Sequence, residues 1–266
     1  VPGLGDVVGG GVRNCVAREI VVDAALGLVD ALDVINHSSI EGTAAVYRHL
    51  IGAGNRRAAP AGTDTMLSFT RRGNQSNPPG WGRVYAKVDG PLTAESFAEA
   101  IRRGRTFATT GPWLELSVNG RGPGDTLDLV PGDRVAIVAR VLGEEAEYLQ
   151  VRTAGGVLAR TEVSGGEAVL EAELIVGEPT YVVAVAGGGP HPRTLCATTY
   201  AHTSPVYLDV AGRHVAREED VRWCLDWLDL LAEAELTAES EPGRDLRSAV
   251  ENLRVRRVGD TLIFLS

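Results

Sequence analysis

An α/β layer followed by an antiparallel β-sandwich and C-terminal helices is the fold class that this sequence predicts. Three observations predict it. Strand-like and helix-like segments alternate as far as about Pro112. Apolar residues then recur at every second position to about residue 210. Beyond that, a helical apolar period takes over. The corresponding divisions are 1–112 for the α/β part, 113–210 for the sandwich and 211–266 for the helical segment.

The first part opens with ALDVIN (31–36), a short apolar strand. TAAVYRHLIGAG (43–54) follows as a helix, with Val46 and Leu50 on one face and glycines at its end. AAPAG (58–62) and RVYAKV (83–88) read as strands. In the next helix Thr93 is placed to cap, Leu92 and Phe97 are spaced for a hydrophobic staple, and Gly104 ends the run. RTFATT (105–110) is a strand again. Alternation of this kind predicts parallel strands in an open sheet or barrel.

The middle has a period of two. In WLELSVNG, Leu114, Leu116 and Val118 share one face, with Glu115, Ser117 and Asn119 on the other. VAIVARV, EYLQVRT, AVLEAELIV and TYVVAVAG continue the pattern between glycine-rich turns, as a sandwich of short strands requires. At the end, EEDVRWCLDWLDLLAEAEL lines up Val221, Cys224, Leu225, Leu228 and Leu231. RDLRSAVENLRV aligns Leu246, Val250 and Leu253 in the same way. Trp223 and Trp227 are one turn apart and are expected to pack within their own domain.

A formal charge of −9 repels phosphate backbones and anionic lipid, which argues against nucleic-acid and membrane partners. No window approaches the length of a membrane helix, and the first residues lack a signal-peptide pattern. Val1 stands where an initiating methionine would, which leaves open a processed end or a valine start codon. Cys15, Cys196 and Cys224 are scattered and odd in number, so reduced thiols in a cytoplasmic protein are expected.

In parallel sheets, ligands gather at the carboxyl ends of the strands. His37 follows the strand ALDVIN, and Asp64 follows AAPAGT. If the two strands are neighbours, an imidazole and a carboxylate share one rim, where they can ligate a divalent metal or act as acid and base. The plainer alternative is that both cap loops or helix starts. Tyr47 and Arg71 are further acid–base and anion-holding candidates, and the long loop RRGNQSNPPGWGR adds Asn74 and Trp81 as substrate-binding candidates. His49, His191, His202 and His214 read as surface or structural. The chain has no G-x-S-x-G elbow and no phosphate-binding glycine motif.

AAPAGTDTM (58–66) resembles the carbaryl-hydrolase-like metallohydrolases of the polymerase-and-histidinol-phosphatase (PHP) superfamily. The likeness extends to EIVVDAALGLVDALDVIN before it and to GWGRVYAKVDGPLTAESFAEAIRRGRTFATTGPWLELSVNGRGPGD after it. It implies a partial PHP-type distorted α/β barrel, hydrolysis of ester, amide or phosphoester bonds, and divalent metals (Zn, Mn or Fe) held by His, Asp and Glu. It places Asp64 on the acid of a G-[ST]-D metal motif. The family's early H-x-[HD] motif has no counterpart in VPGLGDVVGGGVRNCVAR, and Thr65 stands where a histidine often follows the motif acid. Most of the metal set is therefore missing. The α/β part is also far shorter than the roughly 250 residues that a closed eight-stranded barrel takes. The expectation is a degenerate or partner-dependent hydrolase with a small-molecule ligand, covered by a second copy in a homodimer or by a complementing chain. A non-catalytic binding descendant and a metal-independent tailoring enzyme of a biosynthetic pathway are the alternatives.

Overall fold

The computed structural model describes residues 19–35, 40–63, 79–190 and 198–237. They fall into two compact units. The larger comprises Ala31–Tyr47 and Arg57–Val215, and the smaller Val1–Asp30, Arg48–Arg56 and Ala216–Ser266. The helices are α1 (Ile20–Leu26), α2 (Ile40–Gly52), α3 (Ala94–Arg102) and α4 (Glu218–Thr237).

In the larger unit, strict alternation builds an antiparallel sheet ordered β3 (Trp113–Val118), β5 (Asp133–Leu142), β8 (Glu167–Val176). Leu114, Leu116, Val118, Val135, Ile137, Ala139 and Val141 are buried, while the residues alternating with them face outward as the period of two demands. The second sheet contains β1 (Arg83–Ala86), β2 (Thr106–Thr109), β4 (Thr126–Leu129), β6 (Tyr148–Thr153), β7 (Gly156–Glu162), β9 (Thr180–Gly188), β10 (Thr199–Thr203) and β11 (Val206–Val210). Its main path runs β1-β2-β10-β9-β11-β4, and β6 joins β9 and carries β7. One edge of β9 is shared by β10 and β11, which pair with Val185–Gly188 and Thr180–Val182 in turn. Between them the Ser204–Pro205 step interrupts the line, because proline has no N–H to give.

The sandwich core lies between the two sheets. Phe107, Leu149, Val151, Val182, Ala184, Ala186, Ala201, Val206 and Leu208 meet the β3-β5-β8 face there. The opposite face of the large sheet carries the alternate residues, including Tyr181, Tyr200, His202 and Tyr207. These too are buried, so β9, β10 and β11 are covered on both sides along nearly their whole length. TYVVAVAG is thus an apolar run buried on two faces, where an alternating one-sided strand is expected from the sequence.

β1 and β2 depart from expectation in a second way. Both are strands, but they are antiparallel and hydrogen-bonded into the sandwich sheet through β10. The chain leaves at Ala86 and re-enters opposite it at Thr106, with the Lys87 N–H donating to the Arg105 carbonyl. α3 therefore belongs to a long hairpin connection and makes no crossover between parallel strands. Its start is capped as expected: the Thr93 hydroxyl accepts from the Ser96 N–H at 3.1 Å, and Ser96 answers the Thr93 N–H at 2.9 Å. The staple does not form, because Leu92 is 76% exposed.

In the smaller unit, α1 buries Val21, Val22 and Ala24, and α4 buries Val221, Cys224, Trp227, Leu228 and Leu231. Trp227 takes the place in the stripe expected for Leu225, which is half-buried. Trp223 stacks on the imidazole of His49, with ring centroids 4.4 Å apart, and also meets Trp227. The two tryptophans pack within their own unit, as the sequence suggests. RDLRSAVENLRV lies outside the described residues.

Candidate functional site at the carboxyl ends of a parallel strand pair

The segments 31–35 and 58–62, expected as strands, run side by side, joined by isolated parallel bridges. Ala31 pairs with Ala58 and Ile35 with Ala61, both in parallel. The ladder is Leu32 N–H to the Ala58 carbonyl at 3.1 Å, Val34 N–H to the Pro60 carbonyl at 3.0 Å, and Gly62 N–H to the Ile35 carbonyl at 3.1 Å. Pro60 is tolerated because only its carbonyl is used. Parallel pairing means that both chains leave at the same end. His37 follows Ile35 by two positions and Asp64 follows Thr63 directly, but both lie outside the described residues, as do Arg71 and Asn74.

The pair is fastened to the large sheet where β10 and β11 break. There the Ser204 hydroxyl accepts the Ala59 N–H at 2.8 Å and lies 2.7 Å from the Thr106 hydroxyl. At the exit end, the Thr63 hydroxyl donates to the Gly82 carbonyl at 3.0 Å and accepts the Gly82 N–H at 3.3 Å. Gly82 sits in a close approach, where a Cβ would lie 3.3 Å from the Gly62 carbonyl and 3.4 Å from Ile35 Cγ2. Likewise a Cβ on Gly62 would sit 2.3 Å from the Asp33 carboxylate. These contacts set Asp33, Gly62, Thr63 and the Trp81–Gly82 segment around one rim. Desolvation by the surrounding protein raises the Asp33 carboxyl above its usual value.

Of the residues singled out in the sequence, Trp81 arrives at this rim and is buried. Tyr47 does not present itself to a ligand. It is fully buried, its hydroxyl donates to the Arg57 carbonyl at 2.6 Å, and its ring meets His202 edge-on at 5.6 Å. The cause is packing: α2 turns Tyr47 inward onto the tyrosine-rich face of the large sheet, where a phenol needs a partner for its hydroxyl.

The remaining described histidines are structural. His202 is buried in β10 with Nδ1 2.7 Å from the Thr203 carbonyl. It therefore lies inside the sheet, the structural of the two roles expected for it. His49 Nδ1 is 2.8 Å from the buried Asp220 carboxylate, and His214 Nδ1 is 2.7 Å from that of Asp209. Among the described residues no group of three or more His, Cys, Asp or Glu is placed to hold a metal ion, so those residues do not by themselves form a metal-ligand set. Asp33, at the rim, and Arg83, which follows Gly82 at the start of β1, are not distinguished by the sequence. Their only signal was alternation along short strands, at positions that looked like ordinary surface.

Compared with known proteins, the sequence matches no protein-family model and no curated protein sequence.

Proposed function

We propose that the rim at the ends of strands 31–35 and 58–61 is a hydrolase-type site of PHP descent that acts on an ester, amide or phosphoester of a small molecule. What supports this reading is the parallel pairing itself, which sends the chain toward His37 and Asp64 at a common end. In it, the His37 imidazole takes a proton from water as the water attacks the scissile centre, and returns it to the leaving group. Asp64 orients and stabilises the imidazolium. A divalent ion here would need ligands beyond the described residues, and a second chain, either another copy or a complementing protein, is the source we propose. We place the protein in the cytoplasm, in keeping with the buried free thiol of Cys224.

The test is turnover of aryl ester and phosphoester panels by the purified chain, with and without Zn, Mn or Fe, alongside its metal content and its mass in solution. Metal-stimulated turnover that falls at least about a hundredfold in Asp64→Ala and His37→Ala is expected. Turnover unaffected by both substitutions would sink the reading. Activity that survives chelation but fails in both variants would select the metal-independent tailoring enzyme.

A further inference from the structure

Two hydrogen-bond donors are left over where β1 begins. Trp81 is only 7% exposed, and its Nε1–H has no partner among the described residues. Two positions on, the Nε–H of Arg83 is likewise buried with no partner there, and its guanidinium makes no ion pair with a described residue. Other arginines of the same unit are neutralised. Arg105 is held by Asp89, Arg134 by Glu173 and Arg140 by Glu167. A cation drawn partly out of water without an anion is costly, and an acidic chain had many carboxylates to offer it.

The same face of β1 then presents aromatic surface. Arg83 and Tyr85 are i and i+2, about 7 Å apart along the strand and on one side of it. Tyr85 lies parallel to Phe107, its cross-strand partner, with centroids 4.9 Å apart. Trp113 meets both rings edge-on at 5.0 Å. Tyr85 and Trp113 each remain 40% exposed. The Trp113 indole N–H is already used, donating to Glu115 at 2.9 Å, so this ring offers its π-surface.

We propose that this corner binds a small aromatic molecule carrying one anionic group, a carboxylate or a phosphate. Arg83 holds the anion through charge-assisted hydrogen bonds, and the indole N–H of Trp81, adjoining through Gly82, supplies another. The exposed faces of Tyr85 and Trp113 stack the ring, at a distance from Arg83 that suits a single phenyl-sized group. A macromolecular anion is disfavoured, because the buried Nε–H admits only a small group and the net charge of −9 repels a polyanion. The inference concerns binding and draws on neither His37 nor Asp64, so it stands or falls separately from hydrolysis.

Calorimetric titration of the full chain with phenyl phosphate, benzoate, inorganic phosphate and benzyl alcohol tests it. The two ring-bearing anions should bind saturably and about tenfold or more tighter than either inorganic phosphate or benzyl alcohol. Preference between phenyl phosphate and benzoate identifies which anion the corner takes. Arg83→Gln should abolish the advantage of the anion, Arg83→Lys should retain part of it, and Trp113→Ala should remove the advantage of the ring. Each variant is checked for an unchanged circular dichroism spectrum and melting curve. A lack of saturable binding, or affinity unchanged in a folded Arg83→Gln, overturns the proposal.

Discussion

Tyr47 shows how a residue chosen for chemistry can turn out to serve the fold. Burial raises its phenol well above the usual 10.0, and Tyr207 and Tyr181 add to this. Below about pH 10 the group is protonated whether the chain is folded or not, so it contributes no pH dependence. Above that, the unfolded chain releases the proton while the folded chain retains it, and stability falls as pH rises. Tyr47→Phe should cost about 1–3 kcal/mol at neutral pH, because the Arg57 carbonyl loses its donor. The variant should also lose stability less steeply than the parent above about pH 10, as followed by melting temperature against pH. Ser204 carries a comparable weight. In Ser204→Ala the Ala59 N–H and Thr106 hydroxyl lose a buried partner, and denaturant unfolding should register a loss of about 1–3 kcal/mol. Neither role was legible in the sequence, since a lone tyrosine on a helix and a serine before a proline fit many surroundings equally well.

The elements were read with uneven success, and the reasons are physical. β3, β5 and β8 each have one wet face, so their period of two survives in the sequence and identifies both strand and core side. α3 announced itself by its cap, because the Thr93–Ser96 exchange is local. β1 and β2 were visible as strands, but their direction was not, since direction depends on where a connection returns. The same non-local logic governs Gly52, the last residue of α2. Gly→Ala in a helix ordinarily stabilises by about 1 kcal/mol. Here a Cβ would lie 2.0 Å from the Asp220 carboxylate, which is buried and tied to His49. Gly52→Ala should therefore lower the melting temperature. His49→Ala should destabilise as well, by about 1–3 kcal/mol, because it leaves the Asp220 carboxylate buried without its donor. Asp220→Asn in that background should recover part of the loss, measured by a double-mutant cycle.

At the scale of the whole molecule, the larger unit is organised around strands enclosed from both sides. β9 pairs with β6 from Val182 to Gly187 along one edge; along the other, Val182 meets β11, Val185 and Ala186 meet β10, and the Ala184 N–H donates to the Thr203 hydroxyl. The β9 amides from Val182 to Ala186 should exchange with deuterated solvent more slowly than those of β1, which among the described residues has β2 as its only partner strand. Equal protection at both places would contradict this arrangement. The candidate rim was half legible at this scale. The sequence supplied two apolar strands, each leading to a polar residue, whereas their adjacency came only with the ladder from Leu32 to Gly62.

The insertion of β2 between β1 and β10 bears on how this protein can be dissected. A cut near Pro112 looks like a natural module boundary on a linear map, yet it would strip the sandwich of two strands and uncover β10. Neither fragment should express in soluble form alone, and mixing or co-producing the two should restore a folded product. Gene fusions and transplanted domains built on this scaffold therefore need to carry residues 83–109 together with the sandwich.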